Sequence, residues 1–177
     1  MKKLQLVLPN TSYEEQYLEM MNEWISEGGR LNPSALKNNG ASFETWLRWI
    51  EEDKYEDTCP ENSVPQTLYF AVDENNTLLG AITIRHRMGE LNLIDGGFSG
   101  YGIRPSQRKK GYAKTMLALG IQKLNERGIY DILLTCDADN IGSYKTILAN
   151  GGRLENEILN EDGVLVKRFW IHTKSFN

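Results

Sequence analysis

One stretch limits the fold of this chain more than any other: "SGYGIRPSQRKKGYAKTMLALGIQKL", residues 99–124. A β-forming run stops at Pro105, and Arg104, Arg108, Lys109, Lys110 and Lys114 gather around Gly111. Ala113, Met116, Leu117, Gly120, Ile121 and Leu124 then recur at helical spacing, with Gly128 as the stop. A strand that passes through a glycine turn into a helix is the start of an α/β unit, and "IYDILLTC" supplies the next strand, apolar enough to be covered on both faces. A helix N-terminus offers backbone N–H groups without internal partners and the positive end of the helix dipole. With a glycine that admits close approach and positive φ, "SQRKKGYA" reads as a pyrophosphate cradle.

The remaining segments frame this unit. "LQLVLP" predicts an opening strand. "TSYEEQYLEMMNEWISEGG" predicts a first helix with a capping box of Ser12 and Glu15, ended by Gly28 and Gly29. After a loop through Pro33 and Gly40, "FETWLRWIEED" predicts a second helix whose Trp46, Leu47 and Ile50 pack inward. "TLYFAVD" and "TLLGAITIRHRM" flank the turn "ENN" as a hairpin, "GELNLIDGG" connects, and "FSGYGIRP" is a further strand. "NIGSYKTILANGG" predicts a short helix capped by Asp139 or Asn140, and "RLENEIL", "NEDG" and "VLVKRFWIHTK" close with a second hairpin. The order predicts one mixed α/β domain over residues 1–177, a length that buries a continuous core.

Composition excludes several classes. A net charge of -4 argues against a nucleic-acid binder, which needs a wide basic surface. No apolar run is long enough to span a bilayer, and "MKKLQLVLPN" has too short an apolar stretch for a signal core, so a cytoplasmic location is expected. Cys59 and Cys136 lie far apart with no neighbouring histidine, and His86 and His172 are isolated, so neither a disulfide framework nor a metal site is expected.

Neither the Walker pattern GxxxxGK[ST] nor the dinucleotide fingerprint GxGxxG is present, which leaves a phosphate- or nucleotide-binding domain of another kind as a weak alternative. What is present is Arg108-x-x-Gly111-x-Ala113 between a strand and a helix. Here the sequence resembles the GNAT superfamily of N-acetyltransferases, whose acyl-CoA loop is [Arg/Gln]-x-x-Gly-x-[Gly/Ala]. The likeness is tightest over residues 67–152. It implies the acyl-CoA N-acyltransferase fold, a mixed, centrally splayed β-sheet flanked by helices, with acetyl-CoA as cosubstrate and an amine as acceptor. The pantetheine arm would lie in the groove between the strand of Tyr101 and that of residues 129–136, paired with the backbone of Tyr101, Gly102 and Ile103 like an added strand. The pyrophosphate would sit on N–H groups of Lys109, Lys110, Gly111, Tyr112 and Ala113, with Arg108 or Lys110 nearby. A backbone N–H near Ile103 would polarise the thioester.

Asn140, Ser143 and Gly151 match the family's Asn-x-x-[Ala/Ser]-x-x-x-Tyr-x-x-x-Gly segment, where Asn140 and Ser143 would line the arm; plain helix capping uses the same residue types. Ile147 stands where many members carry a proton-donating tyrosine, and Tyr144 is the nearest replacement. Asp95 and Glu90, ahead of His86, are the candidates for the base that an amine acceptor requires. Ile147 also keeps open a catalytically weak acyl-CoA-binding or regulatory module. The acidic first helix, with Glu14, Glu15, Glu19, Glu23 and Glu27, reads either as an attractor of cationic acceptors or as a solvated face. Homodimerisation through the terminal strands is open to this fold class.

Overall fold

A computed structural model describes residues 3–173 of the 177. Two antiparallel ladders carry the fold. The first, in the order β1-β2-β3-β4, comprises Leu4–Val7, Gln66–Asp73, Leu78–Arg85 and Tyr101–Ile103. The second is β5-β7-β6, formed by Asp131–Asp137, Leu165–His172 and Arg153–Leu159. The last residue of the expected final strand, Lys174, lies outside the described residues. The Phe98 N–H donates to the Leu133 carbonyl at 2.8 Å, and past this contact β4 and β5 share no ladder, so the sheet splays.

The first helix, α1 at Glu14–Glu27, is not opened by a capping box. Asn10 caps the preceding turn instead, its Oδ1 accepting from the Ser12 N–H at 3.0 Å, and the helix closes at Gly28 with φ 71°. The second, α2 at Phe43–Glu52, is capped by Ser42, whose Oγ accepts from the Thr45 N–H at 3.2 Å. Both lay aromatic faces on β2: Tyr17 stacks on Trp46 at 4.5 Å, and Phe70 completes the cluster. The indole N–H of Trp46 donates to the Ala35 carbonyl, and this tryptophan packs in the core as its helical spacing predicts.

"GELNLIDGG" is more than a connection: Glu90–Ile94 forms a short helix, α3. The long helix α4, Tyr112–Glu126, buries Met116, Leu117, Ile121 and Leu124 against the other face of the first sheet. Each fully buried side chain of this kind contributes about 1.5–3 kcal/mol. Gly120 lets α4 lie close to β3, since a Cβ there would meet Ile82 Cδ1 at 2.5 Å. The last helix, α5 at Ile141–Leu148, covers β5. Among the described residues no helix is long and apolar enough to cross a membrane.

Candidate active site

The basic loop and the open edge of β4 meet at one end of the splay. Gly111 is left-handed at φ 85° and no side chain caps α4, so the first N–H groups of a fifteen-residue helix stand without a capping side chain. Lys109 is also left-handed, at φ 59°. Along β4, Gly100 and Arg104 bond to β3 through Thr83 N–H to Gly100 O at 2.8 Å and Arg104 N–H to Leu79 O at 2.9 Å. Antiparallel strands alternate, so Tyr101 and Ile103 turn their backbone groups away from β3 and into the splay.

The cations of the loop are distributed by α1. Glu19, Glu23 and Glu27 recur every four residues and face the loop. Arg104, with a side chain 9% exposed, donates from Nε to Glu23 at 2.9 Å and from Nη1 to the Leu78 carbonyl at 3.2 Å. The other oxygen of Glu23 accepts from the Ser106 N–H at 3.0 Å. Burial pushes the Glu23 carboxyl up, but the bonds from Arg104 and Ser106 outweigh it and hold the pKa below 4.5. Arg108 binds both oxygens of Glu27, stands 5.7 Å from the Trp24 ring centroid, and donates from Nε to the Ile103 carbonyl at 3.0 Å. Its guanidinium therefore braces the loop from beneath. Lys110 Nζ folds back onto Ser106 O and Gln107 Oε1, while Lys109 is exposed and makes no side-chain bond among the described residues. On the acidic face of α1, Glu14, Glu15 and Glu19 are exposed, whereas Glu23 and Glu27 form a clamp on Arg104 and Arg108 that sequence reading missed. The four-residue spacing of its glutamates was the available signal.

On the α5 side of the splay, the Tyr101 hydroxyl lies 2.9 Å from Ser143 Oγ. Cys136 reaches the same serine, and burial pushes its thiol up to about 11. Burial likewise pushes the Tyr101 phenol well up, so it stays protonated at neutral pH. Asn140 Oδ1 accepts from the Ser143 N–H at 3.0 Å, which is a helix cap. Tyr144 turns away from this cluster: its ring packs edge-on against Phe169 at 5.8 Å, with Lys167 Nζ 5.4 Å from its centroid. Ile147 is fully buried.

Of the base candidates, Asp95 lies on the opposite face, its Oδ2 accepting from Asn160 Nδ2 at 2.9 Å and its Oδ1 facing Thr135 Oγ1 at 3.4 Å. Glu90 is exposed in the first turn of α3 and forms no hydrogen bond or ion pair among the described residues. His86 pairs with Thr67 at 2.8 Å, and burial lowers its pKa. Among the described residues no group of three or more His, Cys, Asp or Glu is arranged to hold a metal ion.

A family model described as the acetyltransferase (GNAT) family matches residues 33–149, the segment that holds the splay, the loop and α4. The chain belongs to that family. No curated protein matches it. Solved structures of the same fold include the microcin C7 self-immunity acetyltransferase MccE in complex with acetyl-CoA and AMP, 18% identical over 97% of this chain and 93% of that one, TM-score 0.66. The ribosomal-protein alpha-N-acetyltransferase RimL, in complex with coenzyme A, is 13% identical over 99% and 97%, TM-score 0.70. The spermidine/spermine N-acetyltransferase SpeG from Vibrio cholerae is 15% identical over 96% and 94%, TM-score 0.64. This GNAT member therefore has the splayed sheet that its sequence implies.

Proposed function

We propose that this chain transfers the acetyl group of acetyl-CoA directly to an amine, on a small molecule or a protein, in a ternary complex. The carrying observation is the uncapped N-terminus of α4 at Gly111 beside the outward edge of β4. The pyrophosphate rests on the N–H groups of Lys109 to Ala113, where the helix dipole and a left-handed glycine favour an anion. The pantetheine arm runs along β4. Ile103 lies next to the phosphate loop and its carbonyl already accepts from Arg108, so the thioester end lies farther along, at Tyr101. This moves the oxyanion donor from Ile103 to the Tyr101 N–H.

The amine arrives on the face of Asp95, which takes the proton, directly or through water. Nitrogen attacks the carbonyl carbon, the C–S bond breaks, and the departing thiolate is stabilised by hydrogen bonds from the Tyr101–Ser143 hydroxyl pair until water returns the proton that Asp95 took from the amine. That pair does the work for which Ile147 is unsuited. The names of the similar structures, a ribosomal-protein N-acetyltransferase and a polyamine N-acetyltransferase, support both protein and small-amine acceptors.

Burial of Ile147 at the usual donor position favours a second reading, an acyl-CoA-binding module with little turnover. Release of CoA thiol from acetyl-CoA, measured with alkylamines, polyamines and peptides bearing a free N-terminus, separates the two. Turnover that falls in Asp95→Asn supports transfer, binding without release supports the module, and absence of binding overturns both.

A further inference from the structure

The splay between β4 and β5 has two faces. Tyr101, Cys136 and Ser143 meet on the α5 face. On the other lies the segment that joins α1 to α2: the Asn32 carbonyl occupies the place of a Cβ at Gly102, and Asn32 Oδ1 lies 2.9 Å from where a Cβ would stand on Gly100. The same segment carries Arg30, whose Nη1 reaches across to Asp137 Oδ2 at the end of β5, 3.4 Å away. Side chains alternate along a strand, so Asp137 shares its face with Thr135, the partner of Asp95, and points away from Cys136. The ion pair thus ties the α1–α2 segment to β5 on the side from which an acceptor enters.

Its two members differ in freedom. Arg30 has a side chain 74% exposed, and an ion pair to so exposed a group is held weakly. Asp137 is 29% exposed and fixed by the β5 ladder and by the turn in which its carbonyl accepts from the Asn140 N–H at 3.0 Å. When Arg30 swings out, a fixed carboxylate faces the incoming molecule. We propose that Asp137 determines acceptor specificity by binding a cationic group of the acceptor, and that Arg30 holds that place until the acceptor arrives. The reacting nitrogen must be neutral to attack, so the group on Asp137 is a second one. The acceptor class is an amine that carries a further ammonium or guanidinium. This assignment rests on the acetyl-transfer reading above.

The test uses conjugates in which the CoA sulfur is joined through an acetyl bridge to alkylamines from ethyl to hexyl, each with and without a terminal ammonium. Calorimetry compares their binding, and that of acetyl-CoA, in the wild type, Asp137→Asn and Arg30→Ala. At one or more chain lengths the wild type should favour the ammonium-bearing conjugate by about fivefold or more, the scale of one charge-assisted bond at a part-exposed site. The preference should vanish in Asp137→Asn and widen in Arg30→Ala, with acetyl-CoA bound alike by all three. A preference absent from the wild type, or unchanged in Asp137→Asn, overturns the assignment. Failure of acetyl-CoA itself to bind the wild type would instead overturn the transfer reading.

Discussion

Replacing Gly111 by Asp should separate stability from cofactor binding. At φ 85° a side chain is strained by about 1–2 kcal/mol, but a Cβ there meets nothing within 4 Å, so no collision adds to it. The new carboxylate at the positive end of α4 returns about 0.3–1 kcal/mol. The net loss is then about 1 kcal/mol, or about 2–4 °C in melting temperature for a domain of this size. Binding responds far more strongly. A carboxylate about 5 Å from a pyrophosphate charge is repelled by about 1–3 kcal/mol at effective dielectric constants of about 20–80, which weakens acetyl-CoA by about fivefold to 150-fold. Gly111→Asn is the control, because asparagine tolerates the left-handed region and carries no charge. Calorimetric titration of acetyl-CoA at low salt, beside thermal melts, reads both quantities. Asp and Asn variants of equal stability that bind acetyl-CoA as tightly as the wild type would refute the phosphate cradle.

The clamp beneath the loop should be visible in acid. Glu23 is held below its ordinary 4.5, so the stability it adds is complete above about pH 4.5 and is lost as pH falls through the lower folded value. In Glu23→Gln, thermal melts across this range should lose that part of the acid dependence. At neutral pH the variant should be destabilised by about 1.5–3 kcal/mol, since the buried Arg104 loses its close charge-assisted bonds and keeps only Glu19, 3.6 Å away. Cys136, with its thiol pushed up to about 11, should be alkylated at neutral pH more slowly than the more exposed Cys59; mass-resolved labelling with iodoacetamide checks the order.

The strand, loop and helix around Gly111 were legible because their signals are local: a proline stop, a glycine at the turn and an apolar period of 3.6 within one stretch. The same holds for α2 and the two hairpins, while the cap of α5 was narrowed to Asp139 or Asn140 and proves to be Asn140. Less legible was whatever depends on which elements meet. Glutamates at four-residue spacing look alike whether they face water or two arginines eighty residues away, so the clamp of Glu23 and Glu27 on Arg104 and Arg108 emerged only from the packing of α1. Ser12 and Glu15 fit a capping box, yet Asn10 lies two residues earlier and its amide took the role by folding the chain into an extra turn. The helix α3 was hidden between glycines that read as loop. Tyr144 stands out in sequence only by its nearness to Ile147, whereas orientation decides: its ring faces β7, and it is Tyr101 that faces Ser143.

Hydrogen–deuterium exchange with and without acetyl-CoA tests the central claim most directly. Protection should be confined to the outward amides of Tyr101 and Ile103 and to those from Lys109 into the first turn of α4, with the exposed strand β6 unchanged. Protection elsewhere with none at this loop and edge would contradict the account.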